Sequence, residues 1–206
     1  MRAAVQFRAE QGLAILESAL GLVILLPVML VGVGIAVVLH DQSILSAVPG
    51  DALRSMGGSS FSLGANAQGV SLVFSEEEAK ALSTAIVRRM ERAVVGETIL
   101  IGNIALKACV WRVRVHPVTG RGTAIERSSC TVVGDGAGSL TFSAELQRAM
   151  GEKIGFPLLD GSGQFADAMI LIGAKVHGVV SNRVAGMMVE DFEFGVVQPP
   201  RGELAL

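Results

Sequence analysis

The apolar positions of this chain are concentrated near its start. Leu13–Leu39 is almost wholly apolar, and the 22 residues from Ser18 to Leu39 carry no charge. A helix rises about 1.5 Å per residue, so about 20 apolar residues cross a hydrocarbon core of about 30 Å. The run therefore predicts a membrane-spanning helix over 13–39. A secretory signal has an apolar region of only about 7–15 residues with a small-x-small cleavage site behind it. This run is longer, and no Ala-x-Ala stands directly behind it. Pro27 should bend such a helix rather than end it. Arg2 and Arg8 precede the run, His40 and Asp41 follow it, and the next base is Arg54. Basic residues stay cytoplasmic, which puts the N-terminus inside and residues 41–206 outside, in the periplasm of a Gram-negative cell.

Beyond the run the pattern becomes that of a mixed domain. His40–Arg54 should extend the helix and break near Pro49-Gly50. Gly57 to Gly69 is rich in small polar residues and reads as a linker. Ser75-Glu76-Glu77-Glu78 is a capping box, and Leu82, Ile86, Met90 and Val94 recur every four residues, predicting a helix over 76–95. Lys107–Val115 alternates as a half-buried strand, with Cys109, Trp111, Val113 and Val115 on one face and Val110, Arg112 and Arg114 on the other. Thr123–Val133 is a weaker strand. Ser143–Ile154 predicts a short helix with Leu146, Ala149 and Met150 inward. Ala168, Ile170, Ile172, Ala174, Val176 and Val180 form the clearest alternating face. A last strand over 184–197 should join it through a hairpin at Ser181-Asn182-Arg183. The expected fold class is α+β: an N-terminal transmembrane helix followed by an extracytoplasmic antiparallel sheet with one or two packed helices. The segments are a leader (1–12), the membrane helix (13–39), a helix extension and linker (40–74) and the extracytoplasmic domain (75–206).

Composition narrows the function. The 17 basic and 19 acidic residues leave a net charge of -2, without the basic footprint of a nucleic-acid binder. With eight Phe, one Trp and no Tyr, no base-stacking platform is evident. Cys109 and Cys130 both fall in the segment expected outside, where a disulfide can persist, and closing that loop contributes roughly 3 kcal/mol in the chain-entropy model. Register gives divided advice. A turn at Thr119-Gly120 pairs the two cysteines, but it also sets Arg112 opposite Arg127 and Val113 opposite Glu126. A one-residue slip repairs those pairs and parts the cysteines. Two buried thiols are the alternative. Two cysteines without Cys-x-x-Cys spacing do not make a metal site, and no cofactor motif stands out. His40, His116 and His177 lie in separate segments. Gly134–Ser139 lacks the lysine of a P-loop and reads as a turn. Asp160–Gln164 resembles the start of a calcium loop, but Phe165 and Leu171 occupy positions that need Gly and Glu. Glu145, Asp160 and Asp191 read as ordinary surface charges. No hydrolase or metalloprotease motif occurs, so no enzyme is expected.

Glu17 is the unusual residue, a carboxylate at the head of an apolar helix. Before it stand Phe7-Arg8-Ala9-Glu10-Gln11-Gly12, and after Gly12 comes Leu13-Ala14-Ile15-Leu16-Glu17. A cut after Gly12 would make Glu17 the fifth residue of the new chain. This resembles the type IV prepilin signal. With Leu25-Leu26-Pro27, the first 40 or so residues look most like the TadE-like minor pilins (pseudopilins) of tight-adherence pili. Ser18 stands where many members of that class carry an aromatic residue. The resemblance implies processing between Gly12 and Leu13 by a prepilin peptidase. It implies as partners the major pilin, other minor pilins, an inner-membrane assembly platform and membrane lipid. It also implies an assembly role for Glu17, whose charge would pair with the new amino group of a neighbour's Leu13 and so set axial register. Three other readings stay open: an uncleaved membrane-anchored binding ectodomain, a type II secretion pseudopilin and an extracytoplasmic enzyme.

Overall fold

The structure is a computed structural model. It describes residues 2–55, 63–66, 69–72, 74–99, 101–155, 163–181 and 189–200, with side chains over 17–55, 74–99, 101–155, 163–179 and 191–200. The elements are those of an α+β protein led by a long apolar helix.

Helix α1 (Arg2–Ser55) is continuous over 54 residues, a rod of about 80 Å. Its two halves have different surroundings. From Glu17 to about Leu39 nearly every side chain is exposed. Beyond that, Asp41, Leu45, Val48, Ala52 and Leu53 are buried, at spacings that put them on one face. The helix does not break at Pro49-Gly50 as the sequence suggested, and Pro49 is itself buried. A proline removes one backbone bond from a helix interior. Here the turns on either side of it are held by apolar packing. The small-residue linker also differs from expectation. It contains an antiparallel ladder, β1 (Leu63–Asn66) with β2 (Gly69–Leu72), in which Leu63 faces Leu72.

Helix α2 (Glu76–Glu97) starts where the capping box placed it. The Ser75 hydroxyl accepts the Glu78 N–H, and three glutamates occupy the positive end of the helix. It buries Ile86, Val87, Met90 and Val94.

Four antiparallel strands follow: β3 (Ile101–Val115), β4 (Gly122–Val133), β5 (Ala168–Ser181) and β6 (Val189–Gln198), in the order β4-β3-β5-β6. The turn expected at 181–183 lies largely outside the described residues. The second half of α1 and helix α2 cover one face, where Leu45, Ile86 and Met90 meet Leu106, Val110 and Ile172. Helix α3 (Ser143–Gly151) covers the other, where Phe142 and Leu146 meet Trp111, Val113 and Leu171. Phe142 and Trp111 touch edge to face with centroids 5.0 Å apart. β3 is therefore buried on both faces, not half-buried: Val110 is as enclosed as Cys109. Helices on both faces explain why β5 buries Met169 and Leu171 as fully as the alternating face of Ile170 and Ile172.

The β3–β4 register resolves the conflict in the sequence. Cys109 faces Cys130 and Arg112 faces Arg127, but the ladder shifts by one residue beyond Arg112, so that Val113 faces Ile125 rather than Glu126. Glu126 is the extra residue of a bulge. Its carboxylate lies 3.5 Å from Arg112 Nε and 2.9 Å from Arg114 Nε. The bulge keeps the cysteine pair in register and supplies a counter-charge for Arg112 and Arg114. After β4 the chain turns back through Gly134, whose φ of +92° and whose position against the Ile104 carbonyl admit no side chain: a Cβ there would lie 1.9 Å from that oxygen. A single 3-10 turn (Ala137–Ser139) then leads to α3.

Candidate functional site

The residues singled out by the sequence fall into two groups. Gly12, Leu13 and Glu17 lie about three to four turns into α1, and the backbone passes from Gly12 to Leu13 as unbroken helix. Glu17 is exposed. It stands 23 residues before His40, so its Cα lies about 35 Å along the axis from the start of the packed half. The span from Glu17 onward has a mean hydropathy of 3.0 in its most apolar stretch, and none of that stretch is buried by the domain. It is long and apolar enough to cross a membrane.

Cys109 and Cys130 form the second group, and they are joined in a disulfide, with Cα atoms 4.1 Å apart. The bond ties the buried strand β3 to the exposed edge strand β4. It also lines a groove of about 680 Å³ between these strands and α3, whose walls include Trp111, Ile125, Leu146 and Met150. Arg121 and Lys107 line the same groove. The Lys107 ammonium is engaged by the Leu140 carbonyl at 2.6 Å.

Beside the groove stands an ion cluster that the sequence reading missed. Lys175, on the inner β5 strand, is only 5% exposed at its side chain, with Glu145 Oε1 at 2.7 Å and Glu193 Oε1 at 2.8 Å. It also donates to the Thr141 carbonyl and lies 5.5 Å from the Phe142 ring centroid. Glu145 is thus no ordinary surface charge, because it clamps α3 onto the sheet. Burial alone would raise the Glu145 pKa, but the hydrogen bond and charge of Lys175 outweigh it and hold the carboxyl below its ordinary value. Burial likewise opposes the Lys175 charge, and its two carboxylate partners still hold the pKa above the ordinary value. Gly195 leaves the room this needs, since a Cβ there would lie 2.5 Å from Lys175 Cε and 2.7 Å from Glu145 Oε1. The signal was present in the sequence: Lys175 is the single charge in an otherwise apolar run from Met169 to Val176.

Asp41 is the second residue passed over. It is fully buried at the start of the packed half of α1, and its carboxylate accepts the Ile99 N–H at 3.1 and 3.3 Å. His40 on α1 and His116 in the β3–β4 turn are exposed, and His177 on β5 is half-buried. Among the described residues no group of three or more His, Cys, Asp or Glu is placed to hold a metal ion. Most of the Asp160–Gln164 loop lies outside the described residues.

The chain matches no protein-family model, no curated protein sequence and no solved structure.

Proposed function

We propose that this chain is a pilin-like structural subunit of the TadE-like, tight-adherence type, anchored by α1 and processed between Gly12 and Leu13. The observation that carries this reading is the division of one continuous helix into a bare apolar half and a half built into a sheet domain. A protein that only needs an anchor can join it through a flexible linker. A helix rigidly continuous with its domain transmits position, so stacking the bare halves of several subunits also fixes where their domains sit. Glycine has the lowest helix propensity apart from proline, so Gly12 is a favourable point at which to unwind the helix for cleavage. Glu17, stranded in an apolar bundle, would be tolerated when paired with the Leu13 amine of a neighbour. The wrong axial offset leaves it unpaired. These residues serve as substrate and assembly determinants and catalyse nothing.

The test is Glu17→Ala in a strain that makes the filament. The variant should insert in the membrane and be lost from sheared filaments. Filaments with wild-type content of the variant would contradict the proposal.

The groove beside the disulfide favours a second reading, an uncleaved anchored ectodomain that binds a partner. That reading predicts that Gly12→Leu leaves the chain starting at the same residue as wild type and its localisation unchanged.

A further inference from the structure

The contacts of α1 locate the end of the domain that faces the membrane in the anchored reading, on which this inference rests. Asp41 comes two residues after the charge-free run ends, and it holds the Ile99 N–H. That bond pins the connection between α2 and β3 level with the first turn beyond the span. Other contacts agree. Leu45 packs against Gly178 on β5, as does Ile101, and Ile101 faces Val180. The start of β3 and the end of β5 therefore lie at this end. The β3–β4 turn, with Val118 exposed at its tip, lies at the other.

Among the described residues beyond the span, Val95 and Ile99 stand bare at the near end. Val95, on the last turn of α2, is 72% exposed, and Ile99 is 65% exposed. Single exposed aliphatics are ordinary on a protein surface. These two differ in their neighbour, because they flank the place where the apolar helix leaves the domain, with Leu39 also exposed there. Arg92 and His40 are exposed nearby in sequence, suited to a headgroup layer. Glu97 is exposed as well, and its carboxylate resists deep insertion.

We propose that Val95 and Ile99 form an apolar foot that enters the lipid surface from which the domain emerges, to the depth of the boundary between headgroups and acyl chains. The occupant is the bilayer that α1 crosses. Tethering by α1 makes the contact intramolecular, so a small apolar area suffices. The foot would restrict rotation and tilt of the domain, presenting each subunit at one height and in one attitude before assembly.

The test uses the full chain in phosphatidylcholine–phosphatidylglycerol vesicles. An environment-sensitive fluorophore is placed at Val95→Cys, Ile99→Cys, Val118→Cys or Val28→Cys under non-reducing conditions, which leave the native disulfide unlabelled. Headgroup-proximal doxyl lipid should quench the labels at 95 and 99 and leave 118 bright, and deep doxyl lipid should quench 28. If 28 is quenched while 95 and 99 stay as bright as 118, the foot is wrong and the anchor stands. If 28 is also unquenched, the anchored reading fails and takes the foot with it. If 95 and 99 are shielded from aqueous iodide but untouched by doxyl lipid, another protein chain covers the patch and the lipid assignment is overturned.

Discussion

At Lys175 an ammonium lies nearly enclosed among two carboxylates and a carbonyl, holding α3 and β6 to the centre of the sheet. The linkage has a definite sign. Because the Glu145 pKa is lowered on folding, its contribution is complete above the unfolded carboxyl value of about 4.3 and is lost as pH falls through the folded value. Because the Lys175 pKa is raised, its contribution is complete below about 10.4 and is lost as pH rises past the folded value. Between these limits the cluster contributes a constant amount. Lys175→Met should destabilise the domain at pH 7 by about 1–3 kcal/mol, a figure discounted because Glu193 is half exposed. The gap to wild type should narrow below about pH 4 as the carboxylates protonate. Urea denaturation across pH measures both. Charge alone did not reveal this cluster in the sequence, because its members come from β5, α3 and β6 and meet only in the folded chain.

Among the elements, those set by local rules were legible. The cap at Ser75 and the four-residue recurrence from Leu82 to Val94 placed α2 within two residues, and the alternation from Ala168 placed β5. What failed depended on tertiary packing. Pro49 signalled a break that buried neighbours override, and the burial of Val110 comes from α2 folding back over β3, a contact that the alternation within β3 does not encode. The cysteine register could not be settled by a rule that admits only uniform ladders, because the answer is a bulge at Glu126. Glu126→Ala should destabilise by about 1 kcal/mol by removing the counter-charge that Arg112 and Arg114 share, with Arg127 still facing Arg112. Arg127→Ala in that background should recover part of the loss, as a double-mutant cycle would show. Replacing both cysteines by serine should cost about 2–4 kcal/mol, read as a lower denaturation midpoint.

At the scale of the molecule, the core begins at Leu45, and the apolar span from Glu17 contributes almost nothing to it. A chain starting at His40 should therefore fold with a cooperative transition and stay in solution. Loss of cooperativity on removing residues 1–39 would show that the span supports the domain. The apolar span was plain in the sequence because hydropathy is a local property. The helix's rigid continuity with the sheet was not, because it depends on contacts made far along the chain. If that continuity serves assembly, the leader must be removed so that Leu13 presents a free amine to a neighbour's Glu17. N-terminal sequencing of the protein recovered from membranes of a peptidase-positive strain tests this most directly. The expected first residue is Leu13, and a chain that still begins at Met1 would contradict processing after Gly12.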